Sequence, residues 1–461
     1  MQYRPSIEPA TTRIKFSDVA SALSYALDLV EGQPRGHAAR SCLLGMRLAR
    51  EIGLPEAESS ALFYALLLKD LGCSSNASKM CYLFGADDRQ VKCNVKTVDW
   101  SRTGPTLKYA MANVAPGASL FRKLRKLAGI AVAGQRGAKE LVAVRCERGA
   151  DIARSLHLPE ATAQAILSLD EHWDGTGHPR GLAGEQIPLL ARILGLAQTA
   201  EVFWQRDGAE GAYDVAAARS GTWFDPELVK AFLAISREDS VWGAMAAPDP
   251  AAEAARLEPA GLELVADDAA LDRVCEGFAR VIDAKSPWTY SHSAGVADVA
   301  AGIARTLGLP ARTRGAIRRA ALVHDIGKLG VSNMILDKPG KLDADELAQV
   351  RKHPGHTRQI LARVRGLSEL AELAASHHER LDGKGYHRGI GGADLGTEAR
   401  ILVVADMYEA LTAKRPYRRD LSPTEVLAIL EKDAGTAVCP AALEGLRAFV
   451  SESATPLTAA A

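Results

Sequence analysis

Val323-His324-Asp325-Ile326-Gly327-Lys328 sets a histidine and a carboxylate side by side at the end of an apolar stretch. Ile317, Ala321 and His324 recur at three- and four-residue steps, so they share a helix face that carries His324 into the core, with Asp325 one step round it. Other stretches read the same way. From His292 to Gly308, Val296, Val299, Ile303 and Leu307 mark a face with His292 one turn ahead of it; Leu367, Leu370, Ala374 and His377 mark another; Ile401 to Leu411 is an apolar helix interrupted by Asp406. With His353 and His378, five histidines and two aspartates are expected to converge from separate helices. Any one of them alone reads as a core residue. Together, buried without cations, they would leave like charges and desolvated polar groups, which metal ions would relieve. Imidazole with carboxylate suits iron, manganese, zinc or nickel, and the absence of thiolate argues against a structural zinc or iron–sulfur site.

Residues from about 268 to 451 resemble the HD-GYP family, a branch of the HD superfamily. The resemblance is carried by His292, His324-Asp325-Ile326-Gly327-Lys328, His353-Pro354, the run from His377-His378-Glu379 to Gly385-Tyr386, Ala405-Asp406 and Arg415-Pro416-Tyr417-Arg418, in order and spacing. It implies an all-helical domain with two or three metals, usually iron or manganese. By the resemblance His292, His324, Asp325 and Asp406 hold one ion, and His353, His377, His378 and a bridging Asp325 the other. Asp325 and Lys328 carry the catalytic roles, with Lys328 on the substrate phosphate; Lys384, Tyr386, Arg388, Arg415 and Arg418 are expected near the substrate. Two positions depart from the family. Its name-giving motif ends in Pro, whereas this chain reads Gly385-Tyr386-His387; and Trp288 stands where three-metal members carry an acidic residue, which favours two divalent ions.

The chain also repeats itself. Asp174-Gly175-Thr176-Gly177-His178-Pro179-Arg180-Gly181-Leu182 lies 208 residues before Asp382-Gly383-Lys384-Gly385-Tyr386-His387-Arg388-Gly389-Ile390, and Ala191-Arg192-Ile193-Leu194 keeps that offset from Ala399-Arg400-Ile401-Leu402. Lys69-Asp70-Leu71-Gly72 and His37 instead lie 255 residues before His324-Asp325-Ile326-Gly327 and His292, so the first copy carries 47 extra residues between Gly72 and Arg145. In that copy Lys69, Arg145, Leu169, Asp170 and Gln198 replace His324, His353, His377, His378 and Asp406. Cations in place of imidazoles forbid divalent metal, so this half reads as a degenerate, metal-free copy. Lys69 and Arg145 either pair with Asp70 and Asp170 or bind an anion.

The expected architecture is all-α: two tandem HD-like helical bundles, the second with a dinuclear metal site. The expected boundaries are a flexible N-terminus (1–15), a metal-free domain (16–240) with an insertion of weak periodicity around 73–144, a Pro/Ala/acidic linker (241–265), a phosphohydrolase domain (266–451) and a flexible tail (452–461). A short hairpin is allowed between Gly383 and Leu395.

Net charge is zero, from 56 basic and 56 acidic residues, which removes a global electrostatic case for nucleic-acid polymers or anionic membranes. No apolar run is long enough to span a bilayer and no signal-peptide pattern opens the chain, so it reads as cytoplasmic. Seven cysteines without close pairs suggest neither disulfides nor a thiolate zinc site. The leading expectation is a phosphodiesterase that cleaves a cyclic dinucleotide, cyclic di-GMP first, to the linear dinucleotide or GMP. Two bridged cations would activate water and clamp the phosphodiester oxygens. The alternatives are another cyclic dinucleotide or nucleotide ester, and a non-catalytic sensor or scaffold. A homodimer or signalling partner stays open.

Overall fold

The computed structural model describes residues 15–98, 103–259, 267–288, 291–364, 367–413 and 420–454. Among them regular structure is helical, apart from isolated bridges pairing Ser220 with Phe224 and Ala434 with Val438. The chain divides into two compact units: the first holds the described residues from 15 to 259, the second those from 267 to 454, except that Ser332–Met334 group with the first.

In the first unit α1 (Phe16–Glu31), α2 (His37–Glu51) and α3 (Glu56–Leu68) are followed by α4 (Ala77–Phe84), α5 (Asp88–Val95), α6 (Thr103–Asn113) and α7 (Leu120–Ser155), then α8 (Glu160–Leu167), α9 (Leu189–Ala218), α10 (Pro226–Ala234), α11 (Ser240–Met245) and α12 (Pro250–Ala255). The core helix α2 packs on α3 and α9. The insertion is helical from α4 to the start of α7 and builds a small core of Met80, Ala86, Val91, Val98 and Tyr109. Its weak sequence periodicity comes from short helices that bury little. Residues 241–259 do not behave as an open linker: Asp239 and Asp249 cap α11 and α12, which bury Trp242, Met245 and Ala254, and both helices pack on α2. Proline and alanine signal a linker by composition, yet Pro at the first turn is also a helix start.

The second unit contains α13 (Asp268–Asp283), α14 (His292–Thr306), α15 (Ala311–Val323), α16 (Asn333–Leu336), α17 (Ala344–Val350), α18 (His353–Leu361), α19 (Ser368–Ala374), α20 (Thr397–Thr412), α21 (Pro423–Lys432) and α22 (Pro440–Ala454). Here α14 takes the central place, against α15, α20 and α22. Close approach needs glycine at one point in each unit: a Cβ on Gly327 would run into the His353 carbonyl, and one on Gly72 into the Arg145 carbonyl. The loop from Gly383 to Leu395 forms no hairpin; its only regular piece is a single 3-10 turn, Gly392–Asp394. The terminal segments 1–14 and 455–461 lie outside the described residues.

Candidate metal centre

The two residues that open the centre sit just past a helix end. α15 stops at Val323, so His324 and Asp325 form the turn into a 3-10 segment, Ile326–Gly330. His292 starts α14, His353 starts α18, His377 and His378 follow α19, and Asp406 lies within α20. All of these except His378 are buried.

The structure brings all seven together. His292, His324 and Asp406 offer ligand atoms within 4.8 Å of one another, as do His353, His377 and His378, and as do His324, Asp325 and His377. Asp325 stands between the groups: Oδ1 is 3.3 Å from His353 Nε2 and 3.6 Å from His377 Nε2, while Oδ2 is 3.4 Å from His324 Nε2 and 3.6 Å from His292 Nε2.

Tautomers fix which nitrogen faces inward. Nδ1 of His324 lies 2.7 Å from the Ala321 carbonyl, Nδ1 of His353 2.6 Å from that of Val350, and Nδ1 of His377 2.7 Å from that of Ala374. A carbonyl only accepts, so each Nδ1 carries a proton and Nε2 is the atom left to face the centre. His292 does the same through Glu409. The Nε2 atoms of His353 and His377 then stand 2.9 Å apart with lone pairs facing, an arrangement that calls for a cation between them. His324 Nε2 and Asp325 Oδ1 are buried without a hydrogen-bond partner. These are the features of a donor set built for metal.

Electrostatics divide the set: burial would lower His292 and His324, but Asp406 and Glu409 raise the first, and Asp325 and Asp406 take the second up to about 10. Burial depresses His353 and His377, and takes His378 down to about 3, which keeps them neutral as ligands must be. Burial would raise the Asp325 carboxyl, but His324 and Lys328 outweigh it and hold it well below its ordinary value. Asp406 is held low in the same way by His292 and His324.

The rim residues divide. Lys328 reaches Asp325 Oδ2 at 2.5 Å and is partly exposed. Tyr386 lies against His378, with ring centroids 4.5 Å apart, under the Arg351 guanidinium at 5.3 Å. Lys384 is exposed on the loop. Arg388 faces away from the substrate role expected for it: its guanidinium bonds Glu372 and the Ser376 hydroxyl, while its backbone N–H donates to Glu379. Arg180 repeats this in the first unit, bonding Ser168 and Glu171, which marks a role in holding the loop. Arg415 and Arg418 lie outside the described residues. His387 adopts φ 105°, which the ring of proline forbids, so the departure from the family motif reshapes the backbone as well as the side chain. Its imidazole packs over Gly355 and lines an open groove of about 450 Å³ with Arg351, Lys352, His356, Gln359 and Tyr386.

At the corresponding place in the first unit, Lys69 is paired with Asp70 and Arg145 with Asp170. Lys96 lies 3.0 Å from Glu31 and 3.6 Å from Asp70, and Lys92 lies 3.8 Å from Glu31. Glu31, Asp70 and Cys73 lie close enough to suggest a ligand set, but Lys69 and Lys96 already neutralise it and burial pushes the Cys73 thiol well up. Sequence reasoning missed Glu409, Glu201, Glu31 and Lys96. The first two were detectable: Glu201 and Glu409 fall at the 208-residue offset, and each bonds the first histidine of its unit.

An HD-domain family model matches residues 138–228 and 276–441. The chain belongs to the HD-domain family, and with it to the metal-dependent phosphohydrolases. It is 42% identical to the 3′3′-cGAMP-specific phosphodiesterase 3 of Vibrio cholerae over 438 residues, covering 95% of each chain. A cyclic di-GMP phosphodiesterase of Pseudomonas aeruginosa is 38% identical over 141 residues, 30% of this chain and 34% of that one. The crystal structure of a cyclic GMP-AMP specific phosphodiesterase from V. cholerae superposes with a TM-score of 0.65 at 38% identity, covering 95% of this chain and 98% of that one.

Proposed function

We propose that the second unit hydrolyses a cyclic dinucleotide at a two-metal centre, and that 3′3′-cGAMP is the preferred substrate. The convergence of seven donors around Asp325 carries the first part. The second part rests on likeness over both units to an enzyme named for 3′3′-cGAMP, whereas a relative named for cyclic di-GMP matches only 30% of this chain.

His292, His324, Asp325 and Asp406 would hold one ion, and His353, His377, His378 and Asp325 the other; Trp288 in place of a further carboxylate argues against a third. Such a pair, iron or manganese as the family resemblance implies, would supply Lewis acidity and an activated water for phosphodiester cleavage. The chain's own residues do the rest. Lys328, now on Asp325, would turn to the phosphate and offset charge building on its non-bridging oxygens. Tyr386 offers a face for a base, and the groove beside it, with Arg351, Lys352 and Gln359, offers cations and amide groups to a second nucleotide. The groove is also where cyclic di-GMP and 3′3′-cGAMP would be told apart.

The test is kcat/KM for both dinucleotides with metal-replete protein, beside elemental analysis. About two transition-metal ions per chain and faster cleavage of 3′3′-cGAMP are expected. Faster cleavage of cyclic di-GMP would reverse the substrate order, and tight binding without turnover would leave a sensor.

A further inference from the structure

Most large apolar side chains in this protein are buried, and those that are not cluster. Among the described residues, Tyr82, Leu107, Met111, Leu120, Phe121, Leu124, Val132 and Val144 are exposed, against four such residues elsewhere. All eight fall in or beside the insertion that only the first unit carries. Phe121 is 79% exposed and Val132 89%, far beyond the partial exposure expected of a side chain resting on its own domain.

The same segment is one-sided in charge. Residues 103–139 contain Lys108, Arg122, Lys123, Arg125, Lys126, Arg136 and Lys139 and no aspartate or glutamate, in a chain whose net charge is zero. Four of these cations fall in Arg122-Lys123-Leu124-Arg125-Lys126, in the first turns of α7, interleaved with Leu120, Phe121 and Leu124. Lys126 covers the Tyr82 ring at 4.6 Å, while Arg122, Lys123 and Arg125 form no ion pair among the described residues. The helical path breaks at Gly134 (φ 50°, ψ −148°), which separates this segment from the part of α7 that carries Arg145 into the core.

We propose that the first turns of α7, with Tyr82 beside them, form a docking surface for an anionic membrane. Charge complementarity selects the occupant. The centre of a protein–protein interface is depleted in charge, lysine especially, whereas here pairs of cations are interleaved with large apolar groups along Leu120-Phe121-Arg122-Lys123-Leu124-Arg125-Lys126. That mixture suits the boundary between headgroups and acyl chains, where Phe and Leu enter the hydrocarbon edge while Lys and Arg reach lipid phosphates along their own methylene stems. No helix of the described residues is long and apolar enough to cross a membrane, so the contact is peripheral.

The experiment is co-sedimentation of the full chain with phosphatidylglycerol/phosphatidylcholine vesicles and with phosphatidylcholine alone, at low and high salt. Binding to the anionic vesicles alone is expected, weakened at least tenfold by the triple change Arg122→Glu, Lys123→Glu, Arg125→Glu and by Phe121→Ser with Leu124→Ser. Melting curves and phosphodiesterase rates of the variants should match the parent, since these side chains lie on the surface. Equal binding to both vesicles, no binding to anionic ones, or binding indifferent to the charge reversals overturns the proposal. A shift from dimer to monomer in the Phe121→Ser, Leu124→Ser protein without vesicle binding by the parent would assign the surface to a second copy of the chain instead.

Discussion

Both units place a carboxylate on Nδ1 of their first core histidine, Glu201 on His37 and Glu409 on His292. They differ at the other nitrogen. His292 Nε2 faces Asp406 at 3.4 Å and Asp325 at 3.6 Å, whereas His37 Nε2 faces the Lys69 ammonium at 2.9 Å. The loops agree as well: Glu379 accepts from the backbone of Arg388 and Ile390, and Glu171 from that of Arg180, Gly181 and Leu182. Around this histidine and this loop the two units agree, and what differs is the set of donors at positions other than His37 and Asp70. The bundle requires positive charge at the meeting point of its helices, and in the first unit tethered ammonium and guanidinium groups supply it. A buried carboxylate cannot stay ionised alone, and two of the lost histidines are replaced by the cations Lys69 and Arg145, which pair with Asp70 and Asp170, while Leu169 stands at a third.

The largest contrast should come from the paired aspartates. Asp325→Ala removes the residue placed between both donor groups, and we expect loss of both metal ions and a fall in hydrolysis of at least about 10³-fold. Asp70→Ala should leave metal content and rate intact, while stranding the buried Lys69 ammonium in the first unit at a cost of about 3–5 kcal/mol. Metal analysis and chemical denaturation read the two outcomes separately. Substantial hydrolysis by Asp325→Ala protein would assign the chemistry elsewhere, and loss of metal in Asp70→Ala would undo the account of the first unit.

The paired glutamates sharpen the same point at smaller scale. Glu409 holds the His292 proton on Nδ1, so Glu409→Gln should weaken metal binding about 10- to 100-fold without unfolding the second unit. Glu201 holds His37 and, at 2.6 Å, Arg40 Nε. Glu201→Gln should leave metal affinity unchanged and lower stability. Competition with a chelator gives the first number, and equal metal affinity in Glu409→Gln would show that Glu409 does not orient the ligand.

How much of this was legible beforehand depends on what each residue does. His292, His324, His377 and Asp406 stood out because polar groups interrupt helical apolar faces, the duplication followed from the constant offsets, and the all-α fold and the rest of the ligand set came with the family resemblance. The ion network of the first unit was half legible. Lys69 and Arg145 occupy ligand positions and could be found by alignment, but Lys96 comes from the turn after α5 inside the insertion, which has no counterpart to align with, and its pairing with Glu31 is set only by tertiary packing. Arg388 misled for the opposite reason: a cation in a glycine-rich loop beside a phosphohydrolase centre reads as a phosphate contact until Glu372 and Ser376 are seen to hold it.

Protonation offers a third contrast, in stability. Burial, then Lys69, depresses His37 from 6.5 to about 4, so the folded first unit binds fewer protons than the unfolded chain across that interval and loses stability as pH falls through it. Burial would raise Glu31 and Glu201, but Lys96 in one case and His37 and Arg40 in the other outweigh it and hold both at about 2. Their contribution, on the order of 3 kcal/mol each, is present above about pH 4.5 and is lost as pH falls towards 2. Asp28, raised by burial to about 7, has the opposite sign, and its contribution is complete by about pH 4. Between about pH 6.5 and 4.5 the His37 loss and the Asp28 gain offset each other, so the first unit should weaken chiefly below about pH 4.5, where Glu31 and Glu201 take up protons. Five of the six tryptophans precede residue 259, so intrinsic fluorescence of Trp288→Phe protein during denaturation reports on that unit. A stability independent of pH from 6 to 3 would contradict the buried network.

The smallest effect tests the loop. If Arg388 contacted substrate phosphate, Arg388→Ala would cost several kcal/mol of transition-state stabilisation, as loss of a charge clamp does in phosphoryl transfer. Its guanidinium is instead engaged with Glu372 and Ser376, and the pair is partly exposed, so the expected loss is about 1 kcal/mol of stability with kcat/KM changed by no more than about threefold. Arg180→Ala in the first unit should cost a similar amount, because its bond to Ser168 repeats that of Arg388 to Ser376 in a loop that has no substrate to bind. Matching stability losses with an intact rate would fix both arginines as loop anchors. A rate loss of 10²-fold confined to Arg388→Ala would mean that Arg388 leaves Glu372 for the substrate, and that the likeness of the two loops ends at their backbones.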